Sequence, residues 1–306
     1  MTAVHINRSS THHVWDRTIA PVAEIASGTE LTVDTVEASG GQLTPDSTAA
    51  DVAGLDFDRV NPVTGPFLVP GARPGDALAV DILEMSVGGW GWTACIPGFG
   101  LLAEDFTEPR LRISTIAEGH AELLPGLRIP VVPMVGTIGV APPENGPHSM
   151  VPPRRWGGNM DIRHLGPGAR LLLPVGVPGA LLSLGDTHAA MGDGEVAGTG
   201  VETDGSVRLR VTLLPGAAPV TPVLETDPRT HRSGRALATT GIGPDLMTAS
   251  RDAVRALVDE VVRRTGLAPA DAYLLASVAA DLKISELVDA PNWVVSAHLE
   301  LALLDG

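Results

Sequence analysis

The sequence has a single cysteine, Cys95, among 306 residues. That excludes an internal disulfide framework and a cysteine-rich metal site. Aromatic residues make up only 3%. A core must therefore be built from Val, Leu, Ile and Ala, and the 44% hydrophobic content supplies enough of them. Basic residues are scarce as well. Lys and Arg number 21 against 36 Asp and Glu, for a formal net charge of -15. A surface of that sign repels phosphates, which excludes nucleic acid as a partner. No stretch reaches the roughly 18 consecutive apolar residues of a membrane helix. The opening MTAVHINRSSTHHVWDR lacks the basic-then-apolar order of a secretory leader. A soluble cytoplasmic protein is the expectation.

Glycine (35) and proline (26) are plentiful. They favour many short strands and turns over long helices. GTELTVDTVEASG alternates around Leu31, Val33 and Val36, and PGDALAVDILEMSVG around Leu78, Val80 and Ile82. GARLLLPVGVPGALLSLGD predicts two strands around Val-Pro-Gly. EVAGTGVETDGSVRLRVTLL predicts a hairpin turning at Asp204-Gly205. After about Pro244 the period changes. Leu246, Val254, Leu257 and Val261 recur near helical spacing, with Gly266 as the stop. A second helix follows near Asp271, then short strands to the end. The predicted fold is β-rich α+β, with sandwich- or barrel-like sheets in the first two-thirds and a smaller α/β C-terminal part. The corresponding division is a body over 1–240 that carries the site and a subdomain over 241–306 packed on it. Loops are predicted at 42–50, 142–158 and 225–235, the last two covering a site.

Chemistry concentrates in GDTHAAMGDGE, Gly185 to Glu195. In a continuous strand, Asp186 and His188 project from one face. Glu195, at the start of a returning strand, would join them. One imidazole and two carboxylates suit a divalent metal with an open position for water, or acid–base catalysis. Asp193, between two glycines, reads as a turn residue. A polar Asp- and Gly-rich turn is the bland alternative. In RRWGGNMDIRH, Gly157-Gly158 permits a tight backbone course. Asn159 and Asp161 are again two apart and both offer oxygen ligands. Asp34 and Glu37 close a predicted strand, where solvated loop acids with capping roles are the better reading. Cys95 has no base near it in sequence and reads as an inert cysteine. Of His12 and His13, one at most would enter a site. Lys283 follows the second helix.

NPVTGPFLVPGARPGD (Asn61 to Asp76), PMVGTIGVAP (Pro133 to Pro142), GGNMD (Gly157 to Asp161), LPVGVPGALLSLGDTHAAMGDGEVAGTGVE (Leu173 to Glu202), DAYLLAS and DLKISELVD occur in that order along the chain. Together they resemble the acetamidase/formamidase family. The resemblance implies a β-rich fold with a smaller α/β part and a homo-oligomer, dimer or higher. It implies hydrolysis of a small linear amide to a carboxylic acid and ammonia. It also implies a divalent metal, with zinc the expected ion and calcium the alternative. On that pattern Asp186, His188, Asn159 and Asp34 are expected at the metal, with Asp46 a further matched position. Glu195, Asp161 and His188 are expected to do the chemistry, and Asn159, Gly158 and Trp156 to meet the substrate. Two departures stand out. Arg154, Arg155 and Trp156 precede the Gly-Gly-Asn where the family commonly has Pro-Gly or His, and Asn61 replaces a usual His. They leave room for a larger or anionic amide of specialised metabolism, and a non-catalytic small-molecule-binding protein is the remaining alternative.

Overall fold

The computed structural model describes residues 4–229 and 234–304. Two large sheets face each other across one core. The nine-stranded sheet runs Val4–Ile6, Thr29–Thr35, Gly205–Leu214, Ala77–Val87, Arg170–Pro174, Val223–Glu225, Ala236–Gly243, Trp293–Glu300 and Asp281–Glu286. The second sheet runs from Leu127–Pro130 through Trp90–Cys95 and Glu202–Thr203 to Ala180–His188, then Met134–Val140 and Gly157–Asn159. The β-rich expectation holds.

Alternation explains the sandwich. Leu78, Val80 and Ile82 are buried, as are Leu31 and Val33 opposite Leu209 and Val207. In the Thr29–Thr35 strand the next inward position is Thr35, so Val36 falls out of phase with the expected series. The Ala180–His188 strand is buried at every residue, as a strand covered on both faces should be.

Among the described residues three α-helices accompany the sheets: α1 (Ala49–Ala53), α2 (Leu246–Thr265) and α3 (Pro269–Ala279). Asp245 caps α2 by accepting from Thr248 N, and Gly266 ends it in the left-handed region at φ 74°. Its buried stripe is Ala249, Ala253, Leu257 and Val261, packed against Leu237, Val295 and Leu299. Two alanines thus occupy the inner positions expected of Leu246 and Val254, because small residues let the helix approach the sheet closely. The C-terminal strands extend the nine-stranded sheet rather than forming one of their own.

The predicted hairpin at Asp204-Gly205 is corrected. Glu202–Thr203 belongs to the second sheet and Gly205–Leu214 to the first, so the chain crosses between layers there. Glu195 lies outside any strand, in the connection over 189–201. The predicted loop over 225–235 begins on the Val223–Glu225 strand, and its positions 230–233 lie outside the described residues.

Candidate active site

The Ala180–His188 strand builds the floor of the site. One edge pairs with Met134–Val140 along its length. The other edge changes partner. Residues 180–185 pair with Val63–Leu68, and Thr187 and His188 pair with Thr203 and Glu202. Asp186 sits at the change, with φ 53°. Asp161 (φ 43°), Glu195 (φ 44°) and Asn61 (φ 47°) adopt the same region. This conformation costs an L-residue roughly 1–2 kcal/mol. Four such residues lining one cavity mark a place where side-chain aim outweighs backbone comfort.

The aim is at His188 Nε2. Around it lie oxygens of Glu202 at 3.0 Å, Asp186 at 3.2 Å, Asp161 at 3.8 Å and Glu195 at 3.9 Å. All five residues are buried. Glu202 stands directly across the ladder from His188 and is fixed by Gly200 N donating to its Oε1 at 2.6 Å. Thr137 Oγ1, whose proton goes to Asn159 Oδ1, lies 3.2 Å from Asp186 Oδ2. Gly136 lies beneath, where a Cβ would be 2.5 Å from Asp161 Oδ1 and 2.7 Å from Asp186 Oδ2. Only glycine leaves the two carboxylates room.

The electrostatics follow from burial. Burial pushes Asp161 and Glu195 well above the usual carboxylate range, and the negative neighbours Asp186 (for Asp161) and Asp161 (for Glu195) add to the rise. Burial likewise lifts Glu202 to about 7. Burial opposes ionisation of Asp186 too, but the charge and hydrogen bond of His188 outweigh it and hold Asp186 low. Burial alone would lower His188. The carboxylates of Glu202 and Asp186 reverse this and raise it well above its ordinary value.

These residues fit a divalent cation. Both oxygens of Asp161, Oε2 of Glu202 and Nδ1 of His188 are buried without a hydrogen-bond partner. Ligand atoms held about 2.0–2.2 Å from a zinc-like ion lie roughly 3–4 Å from one another, which is the spacing around Nε2. Asp161, Asp186 and His188 form one set with converging ligand atoms, and His188, Glu195 and Glu202 another.

A cavity of about 40 Å³ opens on the cluster. Its far wall is apolar, formed by Ala38, Leu55, Val60, Trp92, Ile96 and Phe99. No Lys or Arg lines it among the described residues.

The structure thus brings Asp161, Asp186, His188 and Glu195 together, and Asn159 beside them. Asn159 Oδ1 accepts from Thr137 Oγ1 and from Asn61 Nδ2 (3.2 Å), and its Nδ2 donates to Asp289 Oδ2 at 2.6 Å. Its amide is therefore engaged in orienting neighbours rather than free to bind an ion. Asp34 is not brought to the cluster. Its carboxylate accepts from His5 Nε2 at 2.9 Å instead. Asp46 and Asp193 are exposed. Gly158 lies on the Gly157–Asn159 strand against Ile138, and its tight course places Asn159 rather than touching the cavity. Trp156 does not line the cavity either. It packs on the core, with Arg155 stacked over its ring at 4.5 Å. Arg154 donates to Ser149 O and Pro152 O, bracing the preceding loop. Asn61 does line the cavity.

Other singled-out residues find structural roles. Glu37 accepts from Ser39, Gly41 and Trp92 Nε1, a capping role extended to the cavity wall. His12 bonds Ser183 Oγ at 2.9 Å, Lys283 meets His164 at 3.2 Å, and Cys95 is half-buried at a strand end. Sequence reasoning missed Glu202, Asp289 and Glu286. The Glu286 carboxylate accepts from the backbone of Val288 and of Asp289.

The model of the acetamidase/formamidase family matches residues 2–150 and 146–305. The chain belongs to that family. A solved acetamidase from Bacillus halodurans superposes with a TM-score of 0.91 at 35% identity, covering 99% of each chain. A putative formamidase of Schizosaccharomyces pombe is 28% identical over 66% of this chain, and an acetamidase of Mycolicibacterium smegmatis is 28% identical over 67%. The chain spans 64% and 66% of the length of these two curated relatives. The residues gathered around His188 all fall within the matched span.

Proposed function

We propose that this member of the acetamidase/formamidase family hydrolyses the C–N bond of a small, uncharged linear amide, with a divalent cation held at His188. The observation that carries the reading is the buried ring of four carboxylates around His188 Nε2, opening into a small cavity with an apolar far wall. The relatives, a putative formamidase and two acetamidases by name, suggest the substrate class. Zinc is the ion we favour, because imidazole is a better ligand for it than for calcium.

His188, Asp186 and Glu202, whose ligand atoms meet at Nε2 within 3.2 Å, would hold the ion. When bound, it supplies Lewis acidity toward the amide carbonyl and the attacking water. Glu195 enters from the 189–201 connection rather than from the sheet floor. It accepts the proton that the water loses and passes it to the amide nitrogen, so that the C–N bond breaks to give the acid and ammonia. The apolar wall takes the acyl chain. With five carboxylates and no cation on the lining, an anionic amide is disfavoured and the neutral ones remain.

We also propose a homo-oligomer. Helix α3 exposes Tyr273, Leu274 and Val278, next to exposed Leu282 and Ile284 on the edge strand of the sheet. Light scattering of the purified chain checks this, and a monomer at micromolar concentration overturns it.

The test of the activity is ammonia release from formamide, acetamide and propionamide, alongside elemental analysis. Release from none of them overturns the reading. Full rate after chelation overturns the role of the ion.

A further inference from the structure

We propose that the cavity holds a second divalent cation, at a site made by Asp161, Glu195 and Asp289. The proposal rests on the reading of a first ion at His188. Ligand oxygens of these three residues converge within 4.8 Å of one another. Asp289 is not among the four carboxylates that approach His188 Nε2 within 4 Å. An ion held by His188 therefore leaves Asp289 unused.

Three observations point to a ligand there. Asp161, which lines the cavity, is 1% exposed, and both its oxygens are buried without a hydrogen-bond partner. Two oxygens can serve two ions, and only one of them is needed at His188. Asp289, 2% exposed, is held by design of its surroundings. Asn159 Nδ2 donates to its Oδ2, and its backbone N–H is bound by Glu286. A carboxylate positioned from both ends, next to two others, is poised for a cation rather than for another carboxylate. The charge count agrees. Five carboxylates line the cavity and no Lys or Arg does, among the described residues. With all five ionised, one divalent ion leaves three negative charges uncompensated in a buried space, and a second leaves one. Buried charge is tolerated only when paired. Asp161 would be shared, since it also belongs to a set that includes His188, while Glu195 would give one oxygen to the second ion and keep the other for the proton.

The experiment is metal stoichiometry. Metal-free full-length protein is reconstituted with zinc chloride, dialysed and analysed for zinc per chain, as wild type and as Asp289→Asn. Asn keeps an oxygen that accepts from Asn159, so the fold is retained, and circular dichroism and the melting temperature check it. The expected result is two ions per wild-type chain and one in the variant. A single ion in wild type overturns the second site while leaving the first standing. Two ions in Asp289→Asn also overturn it. No bound ion in either protein overturns the reading at His188 as well. Electron paramagnetic resonance of wild type loaded with manganese gives an answer that needs no variant. Two ions bridged by a shared carboxylate give an exchange-coupled spectrum, and an isolated six-line signal at full loading overturns the proposal.

Discussion

Glu202 Oε2 lies 3.0 Å from His188 Nε2, the two residues facing each other across adjacent strands of one sheet. Sheet register, not loop conformation, therefore sets the closest carboxylate to the imidazole. Glu202→Gln keeps the hydrogen bond from Gly200 N and the side-chain volume but removes the charge. We expect zinc affinity to fall by more than the roughly 10–100-fold that losing a ligand's hydrogen-bonding partner costs, with a melting temperature of the metal-free protein equal to or above that of wild type. Competition with a chelator measures the first and calorimetry the second. Unchanged zinc affinity removes Glu202 from the site.

Gly136 sits under two carboxylates that share no hydrogen bond with it. A Cβ there would press on Asp161 Oδ1 and Asp186 Oδ2. Gly136→Ala is expected to destabilise by roughly 1–3 kcal/mol, as overpacking does, and to weaken metal binding. Gly192 is the control. A Cβ on it meets nothing within 4 Å, so Gly192→Ala should leave both properties within error. Denaturant unfolding of the two variants decides, and equal behaviour refutes the crowding argument.

Much of the sandwich was legible because its cause is local. Alternation placed Leu78, Val80 and Ile82 inward, and a cap and a left-handed glycine bounded α2. The Asp186–His188 pair was legible because two residues on one strand face share an environment. Glu202 was not, since its link to His188 depends on where a long connection returns. An Asp-Gly turn signal nearby also suggested a hairpin, where the chain in fact changes sheets. Asp289 lies far along the chain from Asp161, Asp186 and Glu202, and no local period reports that proximity. Its only trace was the stretch DLKISELVD, which carried the family resemblance without carrying a role. Asp34 failed for a related reason: strand position fixes a residue's face but not its distance along the sheet from the site.

The buried acids give the metal-free protein an unusual pH dependence. Glu202 and Glu286 are lifted to about 7 by burial, and Asp161, Glu195 and Asp289 are raised well above their usual range. Each binds a proton in the native state at a pH where the unfolded chain has released it. The stability this contributes is full below about pH 4 and is lost as pH rises through the folded values. His188, also raised, acts in the same direction, whereas the stability that Asp186 contributes by being held low is already complete above about pH 4 and is lost only in acid. The melting temperature of chelated protein should therefore fall between pH 6 and pH 8. Added zinc should restore more at pH 8 than at pH 6, because the ligands bind it deprotonated. A melting temperature of chelated protein that rises from pH 6 to pH 8 contradicts this.

Substrate size is set by the apolar wall rather than by the acids. Phe99 lines the cavity and meets Phe57 edge-on, with ring centroids 5.9 Å apart. Its ring also fills the space beside Gly198, on the connection that carries Glu195. Truncation to Ala lengthens the pocket at the acyl end and leaves the residues around His188 in place. A methylene that gains or loses a fit is worth about tenfold or more in kcat/KM. Phe99→Ala should therefore raise the ratio of kcat/KM for butyramide over acetamide by about tenfold, mainly by improving the longer substrate. Succinamate, which carries a carboxylate, should stay unprocessed by both proteins, since the wider pocket still has no cation to receive it. A ratio unmoved by the truncation would place the acyl chain elsewhere, and turnover of succinamate would mean that the acids do not set the charge of the substrate.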